Sequence, residues 1–195
     1  VFPKPIHFDN GRSMAKINNR LQNERQNLLA PISVTDAIGD LPKISSGESS
    51  LTYDKNSKQT NFSKKMRGNQ KKLTLHNSTR HSDKILEIIQ HAGSNINSIP
   101  KKLVTSGFST SYSRLAGNEP SVTITVNFSY AGSNRCIHPT QNRALTQREA
   151  LRLQGFEDSY IFKGTKSQIN KQIGNAVSPI MGNIIAKQLL KYIKN

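Results

Sequence analysis

The stretch RALTQREALRLQGF (residues 143–156), followed after a polar link by KQIGNAVSP (residues 171–179), decides how the rest of the chain is read. Thr146 and Glu149 stand three apart before an apolar run. That spacing lets the threonine hydroxyl accept from the Glu149 amide while the carboxylate reaches back to the Thr146 amide, a capping box. Leu145 and Ala150 are placed for the accompanying hydrophobic staple, and Gly155 supplies a residue that tolerates positive φ at the far end. The spacing predicts a helix from Gln147 to about Gln154. Gly174 to Val177 reads as a tight turn. Ser178 then caps and Pro179 opens a last helix, in which Ile180, Ile184, Ile185, Leu189, Leu190 and Ile193 mark a buried stripe and Lys191 and Lys194 suit the negative end. Between the two segments, residues 160–170 read as a loop.

Arg143, Leu145-Thr146, Arg148-Glu149, Arg152-Leu153-Gln154 and Gly155-Phe156-x-Asp158 resemble the ninth sequence motif of the DNA (cytosine-5) methyltransferases. Gln172 to Val177 with Pro179 resembles their tenth and last. Two long motifs in the right order and at close spacing carry more weight than two capped helices, which many folds contain. The resemblance implies an α+β fold: a small mixed target-recognition domain with C-terminal helices that complete a Rossmann-like methyltransferase domain supplied by the missing N-terminal half.

Composition agrees with a polyanion as partner. The 195 residues hold 28 Lys and Arg against 12 Asp and Glu, a formal charge of +16, the electrostatic footprint of a nucleic-acid binder. Only 34% of residues are apolar and tryptophan is absent, which is lean for a self-sufficient globule. A single cysteine, Cys136, rules out an intrachain disulfide and fits a reducing compartment. No apolar window reaches the length of a membrane span and no secretory segment is visible, so a cytoplasmic, DNA-associated location in a prokaryote is expected. The chain opens at Val1 without an initiator methionine, as if something had been cut away in front.

Three regions are expected: 1–27, a junction from the catalytic domain and a linker; 28–142, the DNA-reading domain; and 143–195, the two motifs and the terminal helix. Pro3 and Pro5 hold the first residues extended, and residues 10–27 form a polar linker. At Ile32 to Pro42 a short strand leads into a helical turn capped by Thr35 or Asp36, and a similar Asp-Ala-Ile-x-Asp-Leu-Pro turn occurs in the resembled family. Residues 47–77 are polar and basic, with Lys55, Lys58, Lys64, Lys65, Arg67, Lys71 and Lys72 facing almost no acidic residues. They read as a loop, fixed on an anionic partner or simply solvated. Ser82 to Gly93 form a capped amphipathic helix with apolar residues at 85, 88, 89 and 92. Ser121 to Phe128 alternate strictly, the period of a half-buried strand, with Ser121, Thr123, Thr125 and Asn127 on its polar face.

Methylation of cytosine at carbon 5 needs a thiolate nucleophile, a methyl donor in a cleft and a flipped base. The family's donor loop, proline-cysteine nucleophile and glutamate motif are not found here, so no catalytic residue is assigned in this chain. Cys136 lies between Arg135 and Ile137 rather than after a proline, and with His138 it falls short of a zinc site; no metal is expected. What remains is the small subunit of a split enzyme or the carboxyl half of a longer one, from a restriction–modification system. By resemblance, Gly174, Asn175, Ala176 and Val177 close one side of the S-adenosylmethionine pocket, the glycine letting backbone come close. The motif-nine helix braces the reader, with Arg143, Arg148 and Arg152 in internal or phosphate contacts. Lys102, Arg114, Thr123, Thr125, Arg143 and Arg148 are the candidate contacts to double-stranded DNA, Thr125-Val126 being similar to a threonine-leucine pair of the family's recognition region. The expected protein partner is a catalytic N-terminal half carrying the proline-cysteine loop. A non-enzymatic DNA-binding protein that keeps the scaffold is the alternative. An RNA-binding protein ranks last, since aromatics make up 6% of the chain and none pair on the Ser121 segment.

Overall fold

A computed structural model describes residues 3, 6, 7 and 28 to 193. The linker expected over residues 10–27 lies outside them, as does most of the expected N-terminal extended segment. The described elements run α1 (Val34–Ile38), α2 (Asn61–Arg67), α3 (Asp83–Gln90), a 3₁₀ turn (Ile96–Ser98), β1 (Ser113–Arg114), β2 (Arg135–Ile137), α4 (Gln147–Leu153), α5 (Lys166–Gly174) and α6 (Pro179–Ile193).

Helix α4 is the centre of the molecule. Its capping box forms as the spacing predicts: Glu149 N donates to Thr146 Oγ1 at 3.2 Å and Thr146 N donates to Glu149 Oε2 at 2.8 Å. Gly155 follows with φ +82°, the left-handed conformation that glycine adopts without strain. Gln147 to Arg152 are all buried, so this helix is wrapped on every side rather than laid on a surface. Leu145, Ala150 and Leu151 join Val34, Ile38, Leu73, Phe128 and Ile173 in one apolar cluster. The core therefore draws on residues from both sides of position 142.

Several expectations are corrected. The turn at residues 33–38 is capped by Ser33, not Thr35 or Asp36, in a box with Asp36 as its third residue, and no strand precedes it. Residues 47–77 are not a loop awaiting a partner. They carry α2, capped by Thr60 with Ser63, and the bridges Ser49↔Asn77 and Thr52↔Lys72. Composition averaged over the segment hides its anchors: Tyr53, Met66 and Leu73 are buried, and Asp158 N donates to Met66 O at 2.7 Å. The expected strand at residues 121–128 pairs with no strand among the described residues. Ile124 and Phe128 are buried and Thr123 and Asn127 exposed, as alternation demands. The backbone instead turns, with Phe128 N donating to Thr125 O and Tyr130 N to Asn127 O. The strands that do form, β1 and β2, are short, parallel and in register Ser113↔Arg135.

The C-terminal third departs furthest from expectation. The stretch read as a loop contains α5, capped by Thr165 with Gln168, and Gly174 is the last residue of this helix rather than the first of a turn. Helix α6 starts at Pro179 as predicted, but no residue in it is buried. Ile184, Ile185, Leu189, Leu190 and Ile193 are 38% to 78% exposed. The stripe faces an open groove whose far wall includes Ile6, Ile32, Ala37, Phe62 and Leu153, and this wall leaves it largely uncovered.

Arg152 of α4 pairs in the interior with both Asp40 and Asp158, so Arg152→Met would leave the two carboxylates buried without their shared cation. It should destabilise the chain by about 3–5 kcal/mol, read as a shift in the urea or thermal unfolding midpoint. Lys191→Ala on exposed α6 should move the same midpoint by no more than about 0.5 kcal/mol.

Candidate functional site

Three arginines contributed by α4 and the residue run ahead of it are fully buried: Arg143, Arg148 and Arg152 are each 0% exposed. Arg143 grips Glu149 with two nitrogens, Nη1 to Oε2 at 2.8 Å and Nη2 to Oε1 at 2.7 Å, and its Nε donates to Ile44 O. Arg152 holds Asp158 through Nε and Nη2 at 2.8 and 2.7 Å and Asp40 through Nη1 at 2.7 Å. Arg148, one turn earlier on the same face, meets Asp158 at 3.3 Å and donates twice to Thr74. Tyr53 Oη donates to the second Asp158 oxygen at 2.6 Å.

Of the internal or phosphate contacts expected of Arg143 and Arg148 these are the internal kind, and they correct the assignment of both as DNA contacts. Both guanidinium groups are enclosed and spend their donors inside the protein, so neither reaches a phosphate. Arg114 is partly exposed, but it too spends its donors on the protein and is corrected on that ground alone. Its Nε donates to Ala92 O, Nη1 to His138 O and Gln141 O, and Nη2 to Ile89 O and Asn142 Oδ1. Every N–H of that fork is engaged, and the charge sits against the C-terminal end of α3, where a cation is favoured. Lys102 and Thr123, by contrast, are exposed, and Thr125 is partly so.

Around Glu149 burial and the Arg143 charge act against each other. Burial works against the Glu149 charge, yet the Arg143 hydrogen bonds and charge outweigh it and hold the carboxyl down at about 2. Burial pushes the His138 imidazole down to about 4, against the pull of Glu149. His76 is lowered for the same first reason. Its Nε2 lies 2.9 Å from Pro42 O, an acceptor only, and its Nδ1 lies 3.1 Å from Thr146 Oγ1. That pairing places the proton on Nε2. Cys136 is buried, donates to Tyr130 O at 3.1 Å and is pushed up to about 11 by burial, which is the opposite of an activated nucleophile. Among the described residues no group of His, Cys, Asp and Glu is arranged to hold a metal ion, and no helix is long and apolar enough to cross a membrane.

The predicted cofactor residues lie where α5 ends. Asn175 is its C-cap, with φ −97° and ψ −1°; Asn175 and Val177 are exposed while Gly174 and Ala176 are partly buried. The close approach expected of Gly174 is made by the chain's own backbone. A Cβ there would stand 2.5 Å from Val126 Cα and 2.6 Å from the Thr125 carbonyl carbon. Sequence reading missed the side chains that fix α5 in place. Gln147 Nε2 donates to Asn170 Oδ1 at 2.8 Å, Gln154 Nε2 to Ile173 O at 3.2 Å, and Asn170 Nδ2 to Ser129 Oγ at 2.9 Å. The Thr165-x-x-Gln168 spacing, the same capping signal that marked α4, was available to find this helix. Beside the turn, an apolar cavity of about 1030 Å³ runs between α6 and the body, lined by Ile32, Leu153, Ile180, Ile184 and Leu189 among others.

The site thus comprises a helix-centred core, a turn with an exposed amide and a terminal helix with an exposed apolar stripe. The family model described as C-5 cytosine-specific DNA methylase matches residues 6–191, and the chain belongs to that family. It is 34% identical over 166 residues to the type II methyltransferase M1.HphI of Haemophilus parahaemolyticus, covering 84% of this chain and 38% of that protein. It is 31% identical over 231 residues to DNA (cytosine-5)-methyltransferase 4 of Arabidopsis thaliana, covering 100% of this chain and 15% of the relative. Among solved structures it is similar to a prophage-encoded Escherichia coli protein assigned as a DNA modification methyltransferase, with TM-score 0.62 and 26% identity over 86% of this chain and 49% of that one. The chain thus spans less than half the length of these relatives.

The lowered histidine and carboxyl values set the direction of acid lability. A buried neutral His138 contributes stability that is complete above pH 6.5 and lost as pH falls through about 4. Glu149 contributes stability present above 4.5 and lost toward 2. The melting temperature should therefore drop in two overlapping stages. His138→Gln should flatten the upper one by an amount equivalent to at most about 3 kcal/mol, measured by calorimetry across pH 3 to 8.

Proposed function

We propose that this chain is the DNA-recognition and cofactor-completing portion of a DNA (cytosine-5) methyltransferase of a restriction–modification system, acting on cytosine in a specific duplex sequence. The observation that carries this reading is the contrast along the family's last motif. Its helix is packed and tethered, yet Asn175 and Val177 at its end are left exposed, next to an apolar helix with no cover of its own.

S-adenosylmethionine, when bound, supplies the methyl group. An amide beside an apolar side chain suits a ligand that has a charged polar end and a flat ring system, and Asn175 offers both donors and an acceptor. Asn175, Ala176 and Val177 would form one wall of the donor pocket. The open stripe of α6 and the adjoining groove would seat the catalytic part that carries the donor loop and the attacking thiolate. A buried Cys136 at about 11 leaves that thiolate to be supplied from elsewhere, so this chain would not transfer methyl groups alone. Proposed DNA contacts are the exposed Lys102 and Thr123 and the partly exposed Thr125, the uncharged pair presenting no repulsive carboxylate to phosphates or base edges. The exposed lysines of residues 55–72, held on an ordered segment, add a cationic surface for the backbone.

In the complete enzyme, Asn175→Ala should raise the KM for S-adenosylmethionine about tenfold, the scale of one lost polar contact, in a tritiated methyl-transfer assay. An unchanged value would remove Asn175 from the donor pocket. Binding of this chain to a duplex should weaken with salt at a log–log slope of about −0.9 per phosphate contacted, measured by fluorescence anisotropy. A flat response would remove the cationic surface from the account.

A further inference from the structure

We infer that Gly174 is a positioning residue for the DNA-reading segment, and that α5 acts as a clamp between that segment and the donor turn. The inference rests on the proposed reading that residues 121–130 face DNA. Gly174 ends a helix, and among the described glycines the positive φ values belong to Gly47, Gly68, Gly155 and Gly164, not to Gly174. Backbone conformation therefore gives no reason for glycine here, and helix propensity alone would favour alanine. Space gives the reason. A Cβ at this position would meet the Val126 amide nitrogen, would lie 2.5 Å from Val126 Cα and would lie 2.6 Å from the Thr125 carbonyl carbon. All three are backbone atoms, which cannot rotate aside as a flexible side chain does.

The same helix holds the segment a second time, four residues earlier and one turn back. Asn170 Nδ2 donates to Ser129 Oγ at 2.9 Å while Asn170 Oδ1 accepts from Gln147 Nε2 at 2.8 Å. Gln147 belongs to the buried first turn of α4, so the segment is tied through α5 to the most enclosed element of the fold. Among the described residues, 121–130 make no ladder with any strand, and Thr123 and Thr125 take their position from these contacts and from the buried Ile124 and Phe128. Asn175 follows Gly174 directly. One helix end thus fixes the reader on one side and presents the donor amide on the other.

A methyl group at Gly174 would have to push the Thr125–Val126 backbone out by about 1 Å to reach ordinary contact, a misplacement large enough to cost on the order of a hundredfold in the use of a ligand. Gly174→Ala in the complete enzyme should raise the KM for DNA and widen the set of cytosines methylated on plasmid DNA, while the KM for S-adenosylmethionine stays within about twofold. A rise confined to the S-adenosylmethionine KM overturns the inference and makes Gly174 a donor contact. If the variant does not accumulate as folded protein, Ser129→Ala removes one tether without adding volume. It should shift the DNA KM the same way by a smaller factor, and an unchanged DNA KM and site pattern count against the clamp. Should the unsubstituted enzyme transfer no methyl group, the proposed function fails, and the clamp is judged by hydrogen exchange in this chain. Faster exchange of the Thr125 to Ser129 amides in Ser129→Ala supports it, and unchanged exchange overturns it.

Discussion

The structure depends on two carboxylates in the interior, Asp158 and Asp40, and on the Arg152 guanidinium that joins them. Removing three charges from water carries a large penalty, which geometry has to offset almost bond for bond. Here it does so: Arg152 meets both carboxylates at 2.7 Å, while Tyr53 and Arg148 take up remaining acceptor positions on Asp158. Because Asp40 follows α1, Tyr53 precedes α2 and Asp158 follows α4, the network fixes three segments at one point. Such an arrangement adds little net stability over an apolar core of equal volume. Its effect is to make one packing far better than its neighbours.

That single packing matters for what surrounds it. Glu149 is both the capping residue of α4 and the partner of Arg143, so the start of the helix and the 44–45 backbone are set together. From α4, glutamine side chains reach α5, and α5 in turn carries the turn with the exposed asparagine. A polar interior therefore fixes the geometry of a surface whose own residues make few contacts. The reading of that surface as half of a donor pocket stands on family membership and on this chain of supports together.

Much of this was legible beforehand where a local signal had a single meaning. The Thr146–Glu149 box, the positive φ of Gly155 and the proline that opens α6 were all readable, because each depends on neighbours in sequence. Readings failed where the deciding partner is remote. Alternation at residues 121–128 foretold which side chains are buried but not that the backbone would lie against Gly174 instead of a strand. Lysine content hid Tyr53, Met66 and Leu73, the buried anchors of a basic segment. Resemblance offered Arg114, Arg143 and Arg148 as DNA contacts and left an internal role open for the last two, because their acceptors lie up to 99 positions away, as with Ile44 O. The α6 stripe was recognised, but a stripe says only that a helix wants cover, not whether this chain provides it.

Cys136 gives the molecule a built-in reporter. It is the only thiol in the chain, it is enclosed, and it is held in its unreactive protonated form. Alkylating reagents can capture it only while the β1–β2 neighbourhood is open, so the labelling rate counts openings of that region directly. Because β2 leads straight into Arg143 and its network, mass added at one sulfur would time the loosening of the whole interior, with no probe introduced and no residue changed.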